Sequence, residues 1–208
     1  MDPVLTTTLT YNKIAQIYSD RYFDYYKNDL VHLKRFLRKI PDKGEILDAG
    51  SGPGGISHFL NLKRYKVVGV DSSSEMVRIA TDRIPQALFQ EMDIRELVFP
   101  EGAFDGVVCS YSLVHIPQKD VLKTLKGFNR VLKTKGVLFL AVHAGEGEKF
   151  EEERFAPGER IFVNLFSKEV LKKDLEEAGF EVIYEVVSKA EVDEKFIQNE
   201  IFIVAQKK

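Results

Sequence analysis

Three acidic residues and a run of glycines hold the chemistry that this sequence is equipped to do. The segment Glu45-Ile46-Leu47-Asp48-Ala49-Gly50-Ser51-Gly52-Pro53-Gly54-Gly55 reads as a buried strand, a glycine-rich turn and the start of a helix. Glycine suits such a turn because a ligand can approach the backbone closely and because the turn needs dihedrals that a Cβ resists. The helix start behind it presents unpaired N–H groups. Two patterns overlap here: Gly50, Gly52 and Gly54 spell G-x-G-x-G, while Gly50, Gly52 and Gly55 spell G-x-G-x-x-G, the dinucleotide fingerprint. The glycines alone therefore indicate a nucleotide-like ligand or a plain tight turn. Asp71 closes the next strand-like run, 19 residues after Gly52. An acid about 20 residues past the glycines is placed to accept hydrogen bonds from ribose hydroxyls; its competing role is to cap the helix that begins at Ser74. Asp93 follows the third strand, 22 residues after Asp71. A nicotinamide enzyme has no standard use for that acid. A protein that reads adenine does, because the carboxylate accepts from the exocyclic amine while Ile94 packs on the ring; taken alone Asp93 reads as a solvated acid, and only its register with Asp48 and Asp71 favours the functional reading.

These acids need elements to present them. After Pro41, β-rich runs (45–49, 66–70, 87–91, 104–111 and 136–143) alternate with stretches of helical spacing (55–63, 74–83 and 119–132). That alternation predicts an α/β fold: a mostly parallel sheet with right-handed crossovers and helices on both faces. Asp48, Asp71 and Asp93 then fall at the carboxyl ends of successive strands. From Thr10 to Ile40 the pattern is helical, with Ile14, Ile17 and Tyr18 on one face, then Leu30, Leu33, Phe36 and Leu37 on another. Near the end, Ser167 reads as an N-cap, Val170, Leu171 and Leu175 as an apolar stripe, and Gly179 as a C-terminal stop. The runs 180–187 and 200–205 leave no room for a crossover helix and predict an antiparallel hairpin at one sheet edge.

The 208 residues suggest one large domain or one with an appendage. A composition of 44% hydrophobic and 30% charged residues is that of a globular chain, not a disordered one. A net charge of −2 lacks the basic excess of a general nucleic-acid binder. The single cysteine, Cys109, excludes an internal disulfide framework; it lies in an apolar run and reads as a buried small hydrophobe. No His/Cys/Asp cluster has metal-ligand spacing. The longest clean apolar run is 137–142, far short of the ~20 residues that cross a bilayer. With no basic-then-apolar leader after Met1-Asp2-Pro3, a cytoplasmic protein is expected.

From about Tyr11 to Lys208 the ordered set resembles the class I S-adenosylmethionine-dependent methyltransferases, of the branch acting mostly on small molecules. The family's acid-x-G-x-G-x-G motif matches Asp48, Gly50, Gly52 and Gly54, its ribose acid Asp71, and its adenine-side acid Asp93 with Ile94. Its fourth strand matches 104–110, leading into Ser112-Leu113-Val114-His115, and its late A-G-F pattern matches Ala178-Gly179-Phe180. The resemblance implies a Rossmann-like seven-stranded sheet of order 3-2-1-4-5-7-6 with strand seven antiparallel, helices on both faces and an N-terminal helical lid. It implies a single methyltransferase domain over residues 1–208: lid 1–40, cofactor-binding core 41–143, substrate-side segment and C-terminal hairpin 144–208. For the cofactor, S-adenosylmethionine, it implies Gly50, Ser51 and Gly52 against the methionine part, with Asp48 orienting the amino group. Asp71 would grip the ribose, with Ser72 and Met76 flanking the adenine and Asp93 and Ile94 meeting it. Ser110 would lie beneath the sulfonium. Tyr11 and Tyr18 match an early Tyr-x6-Tyr pattern and would close over the cofactor or simply pack the helix.

The acceptor implied is a small molecule, with neither nucleic acid nor membrane as partner; the D/N-P-P-Y motif of nucleic-acid and glutamine-amide methylases is absent. No catalytic residue is identified: His115 and His143 are candidate bases, should the acceptor need to lose a proton first, but the resemblance implies a structural or pocket-wall role for His115, and a non-catalytic role is the stronger reading for both; His32 and His58 sit on helices away from that edge. The acceptor wall is expected from the N-terminal aromatics Tyr11, Tyr18, Tyr22, Phe23, Tyr25 and Tyr26 and from the segment 143–166. Those rings either receive a cationic or flat acceptor or pack the helix. The acidic run near Glu151–Glu153 is either a solvated face or a gate for positively charged acceptors. Two other readings share the glycine turn. One is a non-catalytic protein that binds S-adenosylmethionine; the other is a nicotinamide-dependent oxidoreductase, which leaves Asp93 and the terminal hairpin unexplained. The sequence leaves the acceptor, the atom methylated and the oligomeric state open.

Overall fold

The computed structural model describes residues 2–189 and 199–208; Met1 and the connection between the last two strands lie outside the described residues. Helix α1 (Pro3–Tyr22) and a single 3₁₀ turn (Tyr25–Lys27) lead into α2 (Leu30–Leu37). Strands and helices then alternate: β1 (Glu45–Ala49), α3 (Gly55–Leu62), β2 (Lys66–Asp71), α4 (Ser74–Arg83), β3 (Leu88–Glu91), β4 (Phe104–Ser110), α5 (Gln118–Val131) and β5 (Leu132–His143). A small hairpin follows, β6 (Gly147–Glu152) and β7 (Arg160–Leu165), then α6 (Lys168–Glu177), β8 (Phe180–Lys189) and β9 (Asn199–Lys207).

The main sheet has the order β3-β2-β1-β4-β5-β9-β8. Strands β1 to β5 pair in parallel, and β9 lies antiparallel between β5 and β8. Once the β6–β7 hairpin is set aside as a separate two-stranded sheet, this is the expected 3-2-1-4-5-7-6 arrangement. Alternation along the strands splits the core in two. Leu47, Val107, Leu138 and Ile203 pack with Leu125 and Phe128 of α5 and Leu171 and Leu175 of α6. Ile46, Val108, Phe139 and Phe202 pack with Leu33 and Phe36 of α2 and Leu60 of α3. Cys109 is fully buried, and burial pushes its thiol up to about 12.

Three local readings are corrected. Helix α1 starts at Pro3, well before Thr10: the Asp2 carboxylate accepts the Val4 N–H at 3.0 Å, with Pro3 in the first turn, where its missing N–H costs nothing. Its early turns bury threonines, not an apolar stripe. The Phe162 N–H donates to Thr7 Oγ1 at 2.9 Å, and Thr10 Oγ1 donates to the Arg160 carbonyl at 3.0 Å, so α1 carries the β6–β7 hairpin. That hairpin was not expected, because β6 is acidic and almost wholly exposed. The acidic run is a solvated strand except at its end, where Glu153 turns inward and accepts the Phe155 N–H. On α6, Val170 faces solvent; Leu171 and Leu175 alone form the buried stripe. Residues 1–40 also divide. Helix α2 belongs to the core, whereas α1 and the 3₁₀ turn overlie the sheet edge where the acids converge.

Phe128 is fully buried between α5 and the sheet. Truncating a large buried aromatic side chain costs about 3–5 kcal/mol. At about 2–4 °C per kcal/mol for a chain of this size, Phe128→Ala is expected to lower the thermal midpoint by roughly 6–20 °C, followed by circular dichroism.

Candidate functional site

At the carboxyl end of the parallel strands lies one crevice, and Tyr11, Tyr18, Asp48, Gly50, Ser51, Gly52, Asp71, Ser72, Met76, Asp93, Ile94 and Ser110 all line it. Its floor is the turn after β1. Gly50, Gly52 and Gly54 have φ of 77°, 51° and 90°, left-handed backbone that favours glycine. The Gly50 and Ser51 N–H groups donate to the Val70 carbonyl at 2.8 and 2.9 Å, and the Gly52 N–H donates to Asp71 Oδ2 at 2.8 Å. Ser112 Oγ donates to the Gly50 carbonyl at 2.9 Å, and a Cβ at Gly50 would overlap that serine. At Gly52, by contrast, a Cβ would meet nothing within 4 Å. The backbone there is bare and faces open space.

The three acids sit differently. Asp48 is buried and accepts from Ser57 Oγ at 2.7 Å; burial pushes its carboxyl up to about 6. Asp71 accepts from the N–H groups of Gly52 and Ser73; burial raises its pKa and these two donors hold it back. The helix cap at α4 is Ser73, which accepts the Met76 N–H, so Asp71 is not spent on capping. Asp93 lines the crevice, but both of its oxygens are engaged by Arg95, with Nη2 at 2.6 Å and Nε at 2.9 Å from Oδ2. Arg95 in turn reaches Asp2 at 2.7 Å and Asp120 at 3.5 Å. An adenine amine at Asp93 would therefore share the carboxylate with a guanidinium, an arrangement that no local pattern in the sequence announces.

The roof is α1. Ser72 Oγ and Thr8 Oγ1 are 2.7 Å apart, Met76 is buried beside Tyr11 and Tyr18, and these two rings meet edge to face at 5.4 Å. The Tyr11 hydroxyl lies 3.0 Å from His115 Nε2, and His115 Nδ1 lies 2.7 Å from the Phe162 carbonyl. A carbonyl only accepts, so Nδ1 carries the proton, Nε2 is the acceptor and the Tyr11 hydroxyl donates. Desolvation pushes His115 down to about 4 and keeps it neutral. His143 does not line the crevice; its ring packs on Tyr111 at 5.2 Å, and its buried Nδ1 has no hydrogen-bond partner. His32 stacks on Phe202 and His58 packs near Phe23, both outside the crevice.

The residues present fit S-adenosylmethionine. The bare backbone at Gly52 leaves a cradle that any side chain would fill. Carboxylates stand on successive strand tips, and among the described residues that line the crevice none is a lysine or arginine. That donor set suits a cation and offers no side-chain charge to a phosphate. Among the described residues no group of His, Cys, Asp and Glu could hold a metal ion, and no helix is long and apolar enough to cross a membrane.

Residues 21–185 match the family model described as a methyltransferase domain. The chain is similar to YqeM of Bacillus subtilis (strain 168), a provisionally named methyltransferase, with 40% identity over 124 residues. It is also similar to the demethylmenaquinone methyltransferase of Thermotoga maritima, with 31% identity over 106 residues. The first alignment covers 56% of this chain and 50% of YqeM, the second 50% of this chain and 44% of its relative, so the chain spans about half the length of these proteins. In three dimensions it is similar to a SAM-dependent methyltransferase of Methanosarcina mazei, with a TM-score of 0.76, 25% identity and coverage of 82% of this chain and 95% of that one. The matched model, the sheet order and the acid-lined glycine turn agree: this chain belongs to the class I S-adenosylmethionine-dependent methyltransferase family.

Proposed function

We propose that this protein transfers a methyl group from S-adenosylmethionine to a small-molecule acceptor by in-line displacement. The observation that carries the proposal is the crevice itself, where carboxylates on consecutive strand tips flank bare backbone under an aromatic roof. Some relatives are named for small acceptors, demethylmenaquinone among them. The cofactor supplies a methyl group on a sulfonium, already a good leaving group, so the protein need not offer a covalent nucleophile.

What remains for this chain is positioning, which supplies roughly 7–11 kcal/mol when two reactants are held in line. Gly52 gives the cofactor a backbone surface, Asp71 has lone pairs left for ribose hydroxyls, and Ile94 and Met76 offer apolar surface to the adenine. Tyr11 and Tyr18 exclude water from above. His115 is not a base in this arrangement: both ring nitrogens are committed, one to Tyr11 and one to Phe162. It braces the roof.

S-adenosylhomocysteine at 100 times its dissociation constant stabilises a folded protein by about 2.7 kcal/mol. That corresponds to a rise of roughly 5–11 °C here, with NADH giving none. The rise is expected to disappear in Asp71→Ala. In Asp93→Ala, whose carboxylate is already paired with Arg95, the affinity is expected to drop only about tenfold, the value of one hydrogen bond. A shift with NADH and none with S-adenosylhomocysteine would overturn the reading.

The neutral His115 gives a pH test. Folded it gains a proton near 4, below the ordinary 6.5, so between those values the unfolded chain binds more protons and this residue's contribution to stability is lost as pH falls. Asp48, whose carboxyl is pushed up, acts in the opposite direction and is cancelled by comparing two proteins that both contain it. The stability of wild type relative to His115→Gln is expected to fall by up to about 2 kcal/mol from pH 7 to pH 5 in urea unfolding. A difference that stays constant with pH would contradict the neutral, buried ring.

A further inference from the structure

At the end of the crevice away from Asp93, two buried carboxylates lie in each other's field with too few donors to satisfy them. Asp29 stands at the N-cap of α2, where an aspartate normally accepts from the first-turn N–H groups. Here its side chain makes no capping hydrogen bond. It is 4% exposed and lines the crevice, Oδ1 is 3.4 Å from the Tyr111 hydroxyl, and Oδ2 has no partner. Glu200, on β9 and also buried, accepts from the Tyr25 hydroxyl at 3.3 Å, and its charge acts on Asp29. Each carboxylate thus has one tyrosine hydroxyl, Tyr111 for Asp29 and Tyr25 for Glu200, and both bonds are long.

Burial together with the Glu200 charge pushes Asp29 up to about 7, and burial raises Glu200 as well. The chain could have relieved this with a lysine or arginine, yet none lines the crevice among the described residues. The rings at the pair are Tyr25 and Tyr111, in edge-to-face contact with centroids 5.8 Å apart, and Tyr22 packs on Tyr25 at 6.0 Å. Tyr111 is held in left-handed backbone, φ 52°, at the tip of β4, a strained conformation of the kind that gathers at functional sites. An anionic acceptor would meet uncompensated carboxylates here; a neutral one could donate a hydrogen bond to Oδ2 of Asp29 but would leave the pair's charge unbalanced. An organic cation answers both, with its charge against the carboxylates and its carbon skeleton on the rings.

The geometry points to an acceptor that carries a positively charged amine, bound with its nitrogen at Asp29 and its body against the crevice-facing surfaces of Tyr25 and Tyr111. This deepens the methyltransferase reading and rests on it.

The test is calorimetric binding to the S-adenosylhomocysteine-loaded protein of three amines, 2-phenylethylamine, histamine and spermidine, beside 2-phenylethanol and phenylacetate. At least one amine is expected to bind, and neither the alcohol nor the carboxylate to bind comparably. Asp29→Asn, and separately Glu200→Gln, is expected to weaken that amine at least tenfold while binding S-adenosylhomocysteine as wild type does, which also certifies the fold. Amines that bind no better than the alcohol and the carboxylate, or an Asp29→Asn protein that binds the amine unchanged, would overturn the inference. So would loss of S-adenosylhomocysteine affinity in Asp29→Asn, because the carboxylate would then serve the cofactor's own ammonium. Intact cofactor binding in wild type keeps the methyltransferase reading whichever way the amines fall. Failure of wild type to bind S-adenosylhomocysteine at all would sink that reading and this inference with it.

Discussion

Three consecutive N–H groups, those of Gly50, Ser51 and Gly52, are tied to the tip of β2, two to the Val70 carbonyl and the third to the Asp71 carboxylate. Everything else in the site depends on this tether. It holds the turn in left-handed backbone, keeps Gly52 bare toward the crevice and fixes Asp71 so that its remaining lone pairs face the same space. A buried carboxylate that accepts two backbone N–H groups is held in one orientation, and the same two bonds oppose the rise in pKa that burial causes. Parallel strands β1, β2 and β4 in register then bring Asp48, Asp71 and Ser110 to one edge.

Above this floor the roof is built from hydrogen bonds between segments far apart in the chain. Thr7 and Thr10 of α1 hold the β6–β7 hairpin, and Tyr11, His115 and the Phe162 carbonyl join helix, sheet tip and hairpin in one line. The polar groups are satisfied within the protein, which is what allows threonines and a histidine to stand where water is excluded.

The parts of the fold that were legible in the sequence are those written locally. Alternating apolar runs at 45–49, 66–70 and 104–111, glycines at fixed offsets and acids at strand ends each encode their own conformation. The start of α1 was written too, in Asp2-Pro3, but its threonine-rich first turns lack a 3.6-residue apolar period and so do not read as buried. The β6–β7 hairpin was illegible because an exposed acidic strand carries no apolar alternation; the fold supplies its partner through α1. The same limit applies in the site. Arg95 on Asp93 depends on a loop conformation, and Asp29 with Glu200 depends on α2 and β9, 171 positions apart, meeting at one sheet edge.

The Tyr11–His115–Phe162 line carries no formal charge, while the sheet tips beneath it carry carboxylates. The crevice is therefore an asymmetric electrical environment: carboxylates line its floor, whereas the roof presents neutral rings with one buried carboxylate, Glu153, in their field. Coulomb attraction acts only while charge is present. Under the proposed reading, a donor that arrives with a sulfonium charge meets these carboxylates as an opposite charge, and the neutral thioether left after transfer does not.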